Sequence, residues 1–142
     1  MSVLKPFRNI SSMQFIANAV KLYKDTILLV IKLSNKYTKV VEYNLISTAT
    51  QLVNEVMLAN SIRATTEETY QERRKHFKSA KHKTHLLCVE LEVVLDLSIE
   101  HDTNNKVKNI ENICQRLGEQ MDEELKLLDG IMASDYKKYK SR

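Results

Sequence analysis

The residues with the most evident chemical potential lie in one short basic segment. Residues 73–87 read RRKHFKSAKHKTHLL, with six lysines or arginines, three histidines and no acid. Four of these side chains follow one another at steps of four, three and four residues: Arg74, Lys78, Lys81 and His85. A helix would place them on one face, where like charges repel by roughly 0.2–0.5 kcal/mol per pair. The segment is therefore either a solvated face or a surface for an anionic partner.

The anions that such a face suits best are the phosphates of a nucleic acid, because phosphate contacts release counterions and need no contacts to bases. Phe77, the only aromatic residue among the charges, falls on the opposite side, so base stacking is not expected. We predict binding of an RNA or DNA backbone by the six cations of the segment: Arg73, Arg74, Lys75, Lys78, Lys81 and Lys83.

Metal binding and catalysis find little support in the residue pattern. His82 and His85 have helical i, i+3 spacing, but no carboxylate accompanies them in the basic segment and the local positive charge would repel a cation. Cys88 and Cys114 fall on or beside apolar stripes, as small core residues do. No histidine follows an arginine at the spacing of helical RNases of the HEPN class. We therefore predict no catalytic residue, no metal, no cofactor and no enzyme activity.

The composition indicates that helices must position these residues. The 142-residue chain has two glycines and one proline, too few breakers for sheets and their turns. Apolar residues recur at three and four in four stretches, which predicts a single all-α domain over residues 1–142, an antiparallel up-and-down four-helix bundle. The predicted helices cover about residues 11–36, 40–64, 66–101 and 105–133, and a basic tail follows over 134–142.

Capping signals and apolar stripes locate helix starts and the core. Ser11 with Gln14, and Thr65 with Glu68, have capping-box spacing, so the first and third helices are predicted to start there. In the third helix the predicted core comprises Phe77, Ala80, Thr84, Leu87, Leu91, Val94 and Leu95, and in the fourth Val107, Ile110, Ile113, Leu117, Met121, Leu125 and Leu128. In the first two helices it comprises Ile16, Ala19, Val20, Tyr23, Ile27, Val30 and Ile31, then Val41, Leu45, Ala49, Leu52, Val53, Val56 and Leu58.

Charge is distributed unevenly along the third helix. Residues 73–85 are basic, and residues 90–102 carry five acids, beginning with Glu90 and Glu92. Such a polarised helix suits a closed ring in which the acidic half of one copy docks on the basic half of the next. Two cysteines and no apolar run of membrane-spanning length predict a soluble, cytoplasmic protein without a membrane partner.

Four stretches have the order and spacing of a known family: LYKDTILLVIKLSNKYTKVVEYNL, LVNEVMLANS, RRKHFKSAKHKTHLLCVELEVVLDL and ICQRLGEQM. Arg74, Phe77 and Ala80 follow its R-x-x-L-x-x-A frame, whereas Gln120 stands where the family has tryptophan. Over about residues 15–128 the chain resembles the accessory variability determinant (Avd) proteins of diversity-generating retroelements. These belong to a four-helix-bundle superfamily that includes proteins encoded in bacterial 23S rRNA intervening sequences.

The resemblance implies a non-catalytic protein that forms a homopentameric barrel. In that family the barrel binds the element's reverse transcriptase and its structured template RNA, in support of mutagenic cDNA synthesis. The basic segment would then face the RNA or the transcriptase. Two alternatives stay open: an oligomeric helical scaffold or regulatory interaction module without nucleic-acid binding, and a helical HEPN-type RNase.

Overall fold

Four helices account for nearly all of residues 13–140, the part of the chain that the computed structural model describes. They are α1 Gln14–Lys32, α2 Lys39–Ser61, α3 Glu67–His101 and α4 Asn104–Lys140. α1 and α3 each pack against both α2 and α4, so α1 and α3 are diagonal partners. The predicted all-α four-helix bundle, with sequential helices adjacent, is confirmed.

The starts of α1 and α3 differ from the predicted ones. α1 begins after Met13, which makes no side-chain cap, and the predicted start at Ser11 lies outside the described residues. The capping box of α3 is formed one residue later than predicted, by Thr66 and Thr69. Each hydroxyl accepts a hydrogen bond from the other residue's backbone N–H, at 3.1 and 2.9 Å. The Thr69 hydroxyl therefore accepts the hydrogen bond from the N-cap N–H that a glutamate carboxylate accepts in the usual capping box.

α4 is longer than predicted, because residues 134–140 of the predicted basic tail are helical. Tyr139 stacks on Tyr70 of α3 with ring centroids 4.6 Å apart. A hydrogen bond from Tyr139 lowers the pKa of Glu67 at the start of α3. These contacts hold the last turns of α4 against α3, a tertiary effect that the lysine-rich local sequence does not reveal. Residues 141–142 lie outside the described part.

The buried stripe of α1 differs from the predicted one. Phe15, Leu22 and Leu29 point into the core together with the predicted Ile16 and Ala19. Two other predicted core residues are instead exposed, Val20 by 43% and Ile31 by 72%. α1 is apolar around most of its circumference, so the helical period alone cannot select which face is buried.

The other three helices follow their predicted stripes more closely. Leu45 and Leu52 of α2 are fully buried, although the predicted core residue Leu58 is 38% exposed. Phe77 of α3 meets Phe15 of α1 edge to face, with ring centroids 5.6 Å apart and planes at 70°. The core is thus continuous across the diagonal of the bundle, and the charged face of α3 is left outside.

Candidate nucleic-acid interface

Arg73, the first predicted phosphate contact, is bound inside the protein. Its guanidinium forms a two-point ion pair with Asp135 of α4, Nε to Oδ2 at 2.6 Å and Nη2 to Oδ1 at 3.3 Å, and both side chains are 14% exposed. Nη1 donates to the carbonyl oxygens of Ala59 and Ile62, at 3.0 and 3.1 Å. These carbonyls lie at the end of α2, where intrahelical donors run out, and the Ala59 carbonyl also accepts a hydrogen bond from the Ile62 N–H at 3.2 Å. We therefore remove Arg73 from the contact set, because it joins three helices.

The outer face of α3 carries two of the remaining cations. Lys75 and Lys78 are exposed. Lys83 is half-buried on the flank toward α2, where Glu90 accepts a hydrogen bond from Thr48 at 2.5 Å. Burial raises the pKa of Glu90, while that hydrogen bond and the charge of Lys83 oppose the rise. The charge of Lys83 is therefore shared with a carboxylate of its own helix, and Lys83 is less available to an anionic partner than its exposed neighbours.

The flank of α3 toward α4 joins the basic segment to the last turns of α4. Arg74 and Lys81 line a shallow groove of about 450 Å³ together with Asp129, Tyr136 and Lys137 of α4. Lys81 Nζ lies 2.6 Å from Asp129 Oδ1, so an ion pair partly neutralises it. Arg74 and Lys137 face the same groove from opposite helices.

More cations surround this end of the bundle. The last turn of α4 carries three lysines, and Arg63 from the α2–α3 connection lines a further small groove with Lys138. Two segments that lie far apart in sequence thus contribute to one continuous surface. We call it the basic surface, and it comprises Arg63, Arg74, Lys75, Lys78, Lys137, Lys138 and Lys140.

The histidines and cysteines of the described residues form neither a metal site nor an activated nucleophile. Within residues 13–140, no group of three or more His, Cys, Asp or Glu side chains is placed to hold a metal ion. His76 Nδ1 instead lies 2.7 Å from Glu55 Oε2. Burial raises the pKa of Cys88, and raises that of Cys114 to about 11. Both thiols are therefore protonated at neutral pH, and a thiol in that state is a poor nucleophile.

A polar network buried between α1 and α4 has no counterpart in the predicted sites. Glu124 has no exposed surface, and its Oε1 accepts a hydrogen bond from Asn18 Nδ2 at 3.1 Å. Asn18 also donates to the carbonyl of Gln120, whose side chain donates to Asp25, both at 2.9 Å. Burial raises the pKa of Glu124 to about 8, so its carboxyl is largely protonated at neutral pH. The sequence pattern that could have predicted this buried carboxyl is the position of Glu124 at helical spacing between Met121 and Leu128, within the apolar stripe of α4.

Comparisons with known proteins assign no family to this chain. It matches no protein-family model, no curated protein and no solved structure. The resemblance to retroelement accessory proteins is carried by the sequence stretches alone. Within residues 13–140, none of the four helices is long and apolar enough to span a bilayer.

Proposed function

We propose that this protein is a non-catalytic, nucleic-acid-binding accessory subunit of a diversity-generating retroelement. In this role it binds the reverse transcriptase and its template RNA and supports mutagenic cDNA synthesis. The observation that carries the proposal is the basic surface, to which α3, the end of α4 and the α2–α3 connection all contribute. A phosphate backbone that crosses this end of the bundle meets cations from all three.

The basic surface suits backbone binding better than base recognition. Most of its side chains are exposed, and they lie along a ridge and two shallow grooves rather than in a deep pocket. Tyr136 is 52% exposed in the groove between Arg74 and Lys137, so one unpaired base has a ring on which to stack. This combination favours single-stranded or structured RNA bound chiefly through phosphates.

Assembly into a ring, which the family resemblance implies, belongs to the same proposal. Several copies of a weak phosphate-binding surface raise the avidity for a long RNA without any new contact. An oligomeric scaffold without nucleic-acid binding is the second candidate. It is favoured by large apolar side chains that α1 and α2 expose: Ile31 by 72%, Val40 by 79% and Tyr43 by 79%.

The test is RNA binding as a function of salt concentration. Two variants each remove three cations of the basic surface: Arg74→Ala/Lys75→Ala/Lys78→Ala on α3 and Lys137→Ala/Lys138→Ala/Lys140→Ala on α4. A control, Lys36→Ala/Lys39→Ala/Lys108→Ala, removes the same charge from the other end of the bundle. We expect both test variants to reduce the slope of log K against log salt by about 0.7 per lost phosphate contact. The control should keep the wild-type slope.

Two results would contradict the proposal. If the wild-type protein does not bind RNA at low salt, the nucleic-acid function is wrong and the scaffold becomes the better candidate. If all three variants lose binding equally, the attraction is a property of net charge and the basic surface is not the site.

A further inference from the structure

The exposed side of α1 combines apolar and basic side chains. Val20, Leu28 and Ile31 are 43, 46 and 72% exposed. Three exposed lysines lie on the same side of the helix, and none of the three forms an ion pair with a described residue. We call this the α1 face, and it comprises Val20, Lys21, Lys24, Leu28, Ile31 and Lys32.

The exposed side of the C-terminal half of α3 has the opposite charge. Val89 and Val93 are 56 and 40% exposed. Glu92, Asp96 and Glu100 follow one another at steps of four, so they are stacked on one side of the helix, where like charges repel. We call these five residues the acidic α3 face. Glu90 is not part of this face, because its side chain is turned toward α2 and accepts a hydrogen bond from Thr48.

The two faces are similar in length, opposite in charge and both partly apolar. The lysines of the α1 face span residues 21–32, or about 16 Å along the helix, and the acids of the acidic α3 face span residues 92–100, or about 12 Å, at a rise of 1.5 Å per residue. Each face has three charges of one sign. Apolar side chains lie beside the charges on both faces, so contact would remove them from water and pair the charges.

The position of the two faces decides how they can meet. α1 and α3 are diagonal partners, each packed against α2 and α4, so their exposed sides point in opposite directions. The α1 face and the acidic α3 face of one chain therefore cannot contact each other. Each face can instead contact a different neighbouring copy at the same time. Such a heterologous contact generates a closed ring or an open filament.

We infer that copies of this chain associate head to tail, with the α1 face of one copy docked on the acidic α3 face of the next. This interface deepens the oligomeric part of the proposed function and makes no use of the basic surface. It replaces the expected contact between the acidic and basic halves of α3, because the basic half is left free for a phosphate backbone.

Two charge-reversed variants test the interface by sedimentation equilibrium at low salt. One reverses the α1 face, Lys21→Glu/Lys24→Glu/Lys32→Glu, and the other reverses the acidic α3 face, Glu92→Lys/Asp96→Lys/Glu100→Lys. We expect the wild type to be oligomeric and each variant alone to be monomeric. An equimolar mixture should associate again, with the two variants alternating, because each variant then meets a face of opposite charge on both sides. Lys36→Glu/Lys39→Glu/Lys108→Glu is the matched control and should remain oligomeric.

The inference fails if the wild type is monomeric, or if either variant keeps the wild-type mass. It also fails if two folded variants do not associate when mixed. Should a reversed variant misfold, Leu28→Ser/Ile31→Ser tests the apolar part of the α1 face with no change of charge, and it too should be monomeric. RNA binding by the wild type is measured in parallel. A monomer that binds RNA overturns the interface alone, and an oligomer that does not bind RNA overturns the nucleic-acid function alone.

Discussion

At the scale of single residues, the fold changes the chemistry of Glu124 most. The carboxyl lies between α1 and α4 with one oxygen bonded to Asn18 and the other without a partner among the described residues. A hydrogen bond from an amide favours the ionised form, but burial outweighs it and raises the pKa to about 8. Burial therefore keeps this carboxyl largely protonated at neutral pH in the folded chain.

The pH dependence of stability follows from that shift. The folded chain keeps a proton at Glu124 that the unfolded chain releases near its ordinary pKa of 4.5, so stability falls as pH rises from about 4.5 to about 8. We expect Glu124→Gln to remove this fall and to stabilise the protein at pH 8 by about 1–3 kcal/mol, since the raised pKa costs the wild type about 4 kcal/mol at that pH and the unpaired donor of the amide offsets about 1–3 kcal/mol of the gain. Urea unfolding at pH 5, 6.5 and 8 measures it. Glu119→Gln, at an exposed position of the same helix, is the control, and a wild-type stability that does not change with pH would contradict the prediction.

The sequence pattern predicts Arg73 on the surface, but in the fold its guanidinium lies inside, paired with Asp135. Arg73→Ala removes the guanidinium that pairs with the carboxylate of Asp135 and donates to the Ile62 carbonyl, whereas the Ala59 carbonyl keeps a hydrogen bond from the Ile62 N–H. We expect a loss of about 2–4 kcal/mol in the free energy of unfolding. Arg74→Ala, the adjacent half-buried cation, should cost about 0.5 kcal/mol. Chemical denaturation of both variants measures the two losses in the free energy of unfolding. Equal losses would mean that the ion pair adds nothing to stability.

At the scale of elements, the last turns of α4 depend on α3. Residues 134–140 have four charged side chains, one of them acidic, and no apolar stripe of their own. They are held by Tyr139, which stacks on Tyr70 and forms a hydrogen bond with Glu67. Stacked aromatic pairs contribute about 0.5–1.5 kcal/mol beyond the area they bury. The docking of this helix end is what brings its lysines beside the basic half of α3.

Tyr139→Ala should therefore release the end of α4. We expect faster amide hydrogen exchange over residues 134–140 and weaker RNA binding, because the three lysines of the last turn lose their fixed positions. Tyr136→Ala, at an exposed position on the same helix, should leave the exchange rates unchanged. Equal protection of this segment in both variants would show that the helix end is stable without the stacked pair.

At the scale of the whole molecule, different regions serve the two proposed interactions. The basic surface lies at the end of the bundle where α4 finishes, and the head-to-tail interface uses the opposite sides of α1 and α3. Binding of RNA and association between copies therefore do not compete. Repeating the basic surface around an assembly multiplies contacts to a long RNA, whereas a short RNA reaches one copy only.

This separation predicts a dependence on RNA length. The charge-neutral variant Leu28→Ser/Ile31→Ser should bind a short RNA with wild-type affinity, because its basic surface is intact. It should bind a long RNA at least about 100-fold more weakly than the wild type, since avidity is lost. Filter binding with RNAs of the two lengths measures both affinities. The same loss for both RNAs would place the substituted residues in the RNA site itself.

The fold class and most of the core follow from the amino-acid sequence without any tertiary information. Two glycines and one proline, with apolar residues at helical spacing, leave only a helical bundle as a way to bury the core, and the stripe around Phe77 was predicted correctly. Such inferences succeed because helix formation and periodicity are local properties of the chain.

Four features depend on how the helices pack against one another and not on any local pattern. They are the buried face of α1, the inside position of Arg73, the proton on Glu124 and the helical conformation of residues 134–140. α1 is apolar on most sides, so the packing of α2 and α4 against it selects the buried face. Arg73, Glu124 and Tyr139 each owe their role to a partner on another helix, far away in sequence. A pattern within one helix cannot reveal such partners, because desolvation and ion pairing depend on which groups the fold brings together.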